Sequence, residues 1–282
     1  MCICAIAWQL FEDKPLVLLA NRDEFFDRPT LPLHLWETIE QTSEKNCPIL
    51  AGQDLTAGGT WLGLNPHNHR WAVILNFREI VKDKPTFSTS RGQIIRDFLQ
   101  SGLSPYAFAK ALKLTDFDGF NLIIGNREQA VMLNNKGVAP TILPTGLYGV
   151  SNGQPEGFEK SDFGESENWF KTERLRLKVR QEILPLIATG QDFLNQSFDV
   201  LADTLQAPHE RLPNTGLSLE AELALSSIVI PPDRLGNLLG RYYGTRCSNV
   251  LWLTQTGFEF YEKTVKENSE SFLTVHVAPP NF

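Results

Sequence analysis

The chain is poor in several features that would place it in a specialised class. It has four cysteines, Cys2, Cys4, Cys47 and Cys247, in 282 residues, which is not a disulfide framework. No apolar run approaches the roughly 20 residues that a membrane helix needs, so no membrane insertion is expected. The N-terminus lacks a basic region ahead of its apolar stretch, and Gln9 interrupts that stretch; it does not read as a signal peptide. The corresponding expectation is a reducing, cytoplasmic location. There is also no long basic run: 26 Lys plus Arg stand against 33 Asp plus Glu, a formal charge of −7. Nucleic acid, bound largely through its phosphates, is therefore not an expected partner. What remains is ordinary globular material, 42% hydrophobic and 21% charged, enough for a sizeable core. With no repeat, low-complexity tract or linker, one domain over 1–282 is expected. Oligomeric state is silent.

Hydrophobic periodicity orders the elements. Alternating or continuous apolar runs at 2–8, 16–20, 49–51, 60–64 and 70–76 read as strands, with Gly58-Gly59 a tight turn before Trp61. From Ser90 the period becomes helical through Ile94, Ile95, Phe98 and Leu99. Ser104-Pro105 then fits an N-cap and first-turn proline opening a second helix. Strands resume at 120–124, 129–133, 138–143 and 147–151. Helices are expected over 166–187, with Pro185 near the end, and over 191–205. Residues 26–48 and 206–220 read as loops, and strands return at 247–254, 257–263 and 271–277. Strand and helix blocks segregate instead of alternating, which argues α+β: two mostly antiparallel sheets between helical layers.

Cys2 is the most informative residue. Removal of Met1 would leave its thiol and a free α-amine on one carbon. The two groups titrate near ~8.5 and ~7.7–8.0, so the amine can act as an intramolecular base for the thiol. The segment Asn21-Arg22-Asp23-Glu24 follows directly on an apolar run and reads either as a strand end opening onto a site or as a solvated turn. A guanidinium there suits a thiolate, and a carboxylate suits an ammonium. Asn76 closes an apolar strand with an amide that can stabilise an oxyanion or serve a turn. Asn152 and Arg246 also follow apolar stretches.

Taken together, Met1-Cys2-Ile3, Asn21-Arg22-Asp23-Glu24, Gly58-Gly59-Thr60-Trp61-Leu62-Gly63, Arg91-Gly92, Tyr148-Gly149-Val150-Ser151-Asn152 and Tyr243-Gly244-Thr245-Arg246 resemble the NRDE, or transport and Golgi organisation, family. That family in turn resembles the bile-salt hydrolase and penicillin acylase branch of N-terminal-nucleophile (Ntn) hydrolases. The resemblance implies a four-layer αββα sandwich and a cysteine amidohydrolase or acyltransferase acting on a small amide or acyl compound. It further implies roles residue by residue. Cys2 is the nucleophile, Arg22 holds the thiolate, and Asp23 orients the amine. Asn76 belongs to the oxyanion hole, Asn152 contacts nucleophile or substrate, and Arg246 lies near the thiol. No cofactor or metal is implied. Family members have been linked to haem mobilisation, so the alternative is a non-catalytic carrier of haem or another amphipathic ligand. One departure stands out: Arg22 and Asp23 are adjacent, whereas two residues separate their counterparts in bile-salt hydrolases. Neighbours on a strand face opposite ways, so only one of them serves the thiol unless the strand has ended, with Glu24 a substitute.

Other candidates read as structural. Cys4 shares a strand face with Cys2, and no second pair completes a tetrahedral metal set. His67 and His69 decorate a hairpin tip, Cys47-Pro48 is ordinary, and Trp61, Trp71 and Trp252 suit a core. Arg174, Arg176, Lys178 and Arg180 form a solvated helix face.

Overall fold

A computed structural model describes residues 2–36, 48–79, 87, 89–155, 169–235, 240–265 and the backbone of 271–278. Strands β1 (Cys2–Trp8) and β2 (Leu16–Phe25) form the expected N-terminal hairpin. They are followed by β3 (Thr30–Leu35), β4 (Leu50–Asp54), β5 (Leu62–Asn65) and β6 (Arg70–Asn76). Helices α1 (Arg91–Gln100) and α2 (Pro105–Ala111) separate these from β7 (Phe120–Gly125), β8 (Ala130–Asn134), β9 (Thr141–Ile142) and β10 (Gly146–Val150). A second helical block holds α3 (Phe170–Lys178), α4 (Leu184–Ala188), α5 (Leu194–Leu201) and α6 (Leu219–Ala224). The described chain closes with β11 (Tyr243–Leu253), β12 (Phe258–Val265) and β13 (Ser271–Ala278).

Two sheets result, in the orders β10-β1-β2-β11-β12-β13 and β3-β4-β5-β6-β7-β8-β9. Alternation along the strands explains the layering. In β1, Cys2, Cys4, Ile6 and Trp8 face the second sheet, where they meet Leu62, Leu64, Trp71 and Val73. The intervening Ile3, Ala5 and Ala7 face helices, packing with Leu175, Val179, Ile183 and Val200. On the far side, α1 and α2 bury Ile94, Ile95, Phe98 and Phe108 against Ile74, Leu122 and Ile124. The architecture is thus αββα, the two-sheet α+β arrangement the sequence led us to expect.

Several local expectations need correction. The apolar run at 16–20 continues as β2 to Phe25; the strand does not end at Asn21, because β11 pairs with it all the way. Residues 26–48 contain a strand, β3, despite Pro32. Its place at the edge of the sheet tolerates a missing N–H. The loop assigned to 206–220 gives way to α6 at Leu219, capped by the Ser218 side chain. Helix α5 covers only Leu194–Leu201 of the span 191–205. Between α3 and α4 the helix widens to a π turn at Val179–Ile183. Pro185 explains this: it cannot donate to the carbonyl four residues back, and a wider turn relieves the ring's clash with it. The Ser104-Pro105 start of α2 is as expected.

Candidate active site

Strands β1, β2, β6 and β11 bring candidate residues to one cavity. Cys2 pairs with Arg22 across β1–β2, and Arg22 pairs with Cys247 across β2–β11. All three side chains line a cavity of about 800 Å³ between the sheets. Asn76, at the end of β6, and Arg246 line it too, with Glu24, Asp54, Trp61 and Arg91. Cys2 is itself only 7% exposed. Burial pushes its thiol pKa up, as does the Asp23 carboxylate, whereas the N-terminal ammonium, Arg22 and a hydrogen bond from the Asp23 backbone N–H pull it down. Burial prevails, so the resting thiol needs a base.

The Arg22–Asp23 adjacency is resolved by the continuing strand. Arg22 lies on the cavity face, 3.7 Å from Glu24 and 3.8 Å from Asp54. These separations exceed hydrogen-bonding distance, so the guanidinium is not locked to either carboxylate. Asp54 is instead held by Arg28 at 2.7 Å. The Asp23 carboxylate takes the helical face, accepting from the Thr245 hydroxyl at 2.7 Å. Its backbone reaches the thiol from behind. A bulge between Thr245 and Cys247 makes this division possible: the extra residue reverses the alternation, so Thr245 meets Asp23 on one face while Cys247 meets Arg22 on the other.

Asn152 and Arg246 are placed differently from their implied roles. Asn152 is fully buried and donates to the Asn76 carbonyl at 2.8 Å. Its neighbour Ser151 donates to the Cys2 carbonyl at 2.9 Å. This pair ties the start of β1 to the end of β6, setting Cys2 and Asn76 in position from outside the cavity. Arg246 sits in the bulge and donates to the carbonyls of Phe25, Phe26 and Arg28 and to the Thr30 hydroxyl. It shapes the cavity rim.

The glycine motifs have a packing cause. A Cβ on Gly59 would lie 2.6 Å from the Gly92 backbone, and one on Gly92 would lie 2.9 Å from the Thr60 carbonyl. This close crossing brings Ser90, Arg91 and Gly92, at the start of α1, to the cavity wall. Gly58, at φ +68, makes the turn. Arg91 is held by Asp118 and the Gly119 carbonyl.

Among the other candidates, Cys4 is buried in the core between the sheets. His69 sits in the β5–β6 turn, where burial lowers its pKa to about 4. Trp71 and Trp252 are core residues, whereas Trp61 is half-buried and faces the cavity. The basic face of α3 is partly engaged: Arg174 binds Asp203 and Lys178 binds Glu182. Cys47 lies outside the described residues. Among the described residues, no cluster of three or more His, Cys, Asp or Glu side chains could hold a metal ion, and no helix is long and apolar enough to cross a membrane.

Two site residues escaped the sequence reading. Cys247 needed the β11 register to be found. Lys171, fully buried, gave no local signal, since a lysine in the first turn of an amphipathic helix reads as solvated.

A buried cysteine opens the first strand of an αββα sandwich and shares one cavity with an arginine and an asparagine. The model of the transport and Golgi organisation 2 family matches residues 1–267, and the chain belongs to that family. The human transport and Golgi organization protein 2 homolog is 30% identical over 203 residues, 67% of this chain and 68% of its own. The mouse homologue is 30% identical over 148 residues, covering 49% of this chain and half of its own length. An uncharacterized yeast protein is 26% identical over 99% of this chain and 97% of its own. Among solved structures, a Caenorhabditis elegans N-acylethanolamine-hydrolyzing acid amidase ortholog aligns with 88% of this chain and 92% of its own, at 12% identity and a TM-score of 0.44.

Proposed function

We propose that this protein is an Ntn-type hydrolase or acyltransferase that cleaves a small amide or acyl compound through Cys2 after loss of Met1. The observation that carries this reading is the placement of Cys2 in the cavity wall, opposite Arg22 and with the Asp23 N–H on its sulfur. The freed α-amine takes the thiol proton, and the Cys2 Sγ attacks the substrate carbonyl carbon. The resulting oxyanion is met by the Asn76 amide, a kind of donor typically worth about 2.7–4 kcal/mol. As the carbon–nitrogen bond breaks, the α-ammonium returns its proton to the leaving amine. Water, or an acceptor in a transferase, then attacks the thioester and frees Cys2.

The test is intact mass followed by turnover. Protein made in a host with normal methionine processing should lack Met1 and cleave members of a panel of small amides and thioesters, and Cys2→Ala should be inactive. Retained Met1 would remove the proposed base and sink the mechanism. Absence of turnover in processed protein, with ligand binding that survives Cys2→Ala, would replace it with a carrier.

A further inference from the structure

Behind β2, on the face turned away from the cavity, the structure buries a group of charges that the mechanism above does not use. Lys171, in the first turn of α3, is 1% exposed. Its Nζ has no hydrogen-bond partner among the described residues. A buried ammonium without such partners is costly and must be offset by nearby charge. The surrounding groups come from every element packed there. Asp23 arrives from β2, 2% exposed, and Thr245 and Tyr243 arrive from β11, donating to the Asp23 side chain and carbonyl. Arg78, just beyond β6, stacks on Trp169 with 4.2 Å to the ring centroid and pairs with Glu222 of α6 at 3.0 Å. Glu222 also accepts from Thr215. Arg78 and Glu222 thus have each other, and among the described residues Asp23 is the other carboxylate acting on Lys171.

Close packing keeps Lys171 there. A Cβ on Gly149 would approach the Thr172 side chain to 2.9 Å, and one on Gly153 would approach Trp169 to 2.8 Å. Glycine at both positions lets the start of α3 sit against the end of β10, next to Ser151 and Cys2.

We infer that Lys171 is a positioning residue: its buried ammonium keeps the Asp23 carboxylate ionised so that Asp23 can anchor the α-ammonium of processed Cys2. This rests on the hydrolase reading for its consequence, but not for the Lys171–Asp23 pair itself. The electrostatics agree in direction. Burial pushes the Asp23 pKa up and prevails, while the N-terminal ammonium, then Lys171, the Thr245 hydroxyl and Arg22 counter it. Burial lowers Lys171 to about 8, and Asp23, Cys2 and Glu222 hold it from falling further against the push of Arg78.

The pair can be read in the resting protein by NMR, with ¹³Cγ-aspartate labelling and Asp23→Asn to assign the signal. Lys171→Met should raise the Asp23 titration midpoint by at least one pH unit, a tenfold change in its protonation equilibrium, and Lys171→Arg should restore it. An unchanged midpoint in folded Lys171→Met overturns the inference. Should Lys171→Met fail to fold, the ¹⁵Nζ signal of Lys171 reads the pair from the other side. Its midpoint should fall by at least one unit in Asp23→Asn, and an unmoved midpoint is equally fatal. Where turnover is measurable, the acidic limb of its pH profile should move up with Asp23 in Lys171→Met; a purely structural role would lower the amplitude and leave the limb in place. Absence of turnover in the native protein would count against the hydrolase reading alone.

Discussion

Arg22 stands directly opposite Cys2 in the β1–β2 ladder, with both side chains on the cavity face. Among the described residues nothing in the cavity ties the guanidinium tightly: its acidic neighbours Glu24 and Asp54 lie 3.7 and 3.8 Å away. It therefore has donors to spare for a thiolate, or for an anionic group of the substrate, and its charge opposes the burial that disfavours the Cys2 thiolate. Arg22→Met should lower the rate at which iodoacetamide alkylates Cys2 near neutral pH by about tenfold, one pKa unit. Arg22→Lys should recover part of it. Peptide mass mapping separates Cys2 from the other thiols, and equal rates in all three proteins would refute the pairing.

Asn76 and Asn152 should separate chemistry from support. Asn76→Ala removes the cavity amide and should cut kcat by about 10²–10³ with little change in KM. Asn152→Ala leaves the Asn76 carbonyl without its 2.8 Å partner and should cost about 1–3 kcal/mol of stability. Denaturant titration alongside steady-state kinetics checks both, and a stable, fully active Asn76→Ala would remove it from the oxyanion site.

The Gly59–Gly92 crossing allows a sharp comparison. Gly59→Ala forces a methyl onto the Gly92 backbone at 2.6 Å and should destabilise by about 1–3 kcal/mol. Gly102→Ala meets nothing within 4 Å, and such an open site should change stability by less than about 0.5 kcal/mol. Similar thermal midpoints for the two variants would contradict the packing account.

Asp203 links the second helical block through Arg174 at 2.5 Å. Burial pushes its pKa up, but the Arg174 hydrogen bonds win and the net shift is downward. A lowered folded value contributes stability that is present above the unfolded pKa of ~3.9 and is lost as pH falls through the folded value. Asp203→Asn should therefore cost about 1 kcal/mol at pH 7, with the gap to the native protein closing below about pH 4. Urea titrations at pH 7 and pH 3.5 decide it; a gap of constant size would sink the argument.

The fold was legible wherever the signal is local. The alternation in β1 sends Cys4 and Ile6 one way and Ile3 and Ala5 the other, and the Ser104-Pro105 start of α2 is written in two residues. β3 lies within 26–48, which read as a loop; its place at the edge of the sheet lets it hold Pro32. Cys2, Arg22, Asn76 and Arg246, carried by motifs spread from one end of the chain to the other, line one cavity. Asn152, in contrast, was read as a direct contact and lies behind the Asn76 backbone.

By itself, then, the sequence determined that apolar periodicities would build two sheets with helices outside them, and that a cysteine would open the first strand. Only the tertiary structure decided what each polar residue does there. The extension of β2 to Phe25 and the bulge beside Arg246 assign Arg22 to the cavity and Asp23 to the helical layer. The same bulge delivers Arg246 to the rim carbonyls, and the fit of α3 on Gly149 accompanies the burial of Lys171. The reason is physical: spacing along a chain encodes periodicity, whereas register and burial arise from pairing between segments more than two hundred residues apart, as Asp23 and Thr245 are.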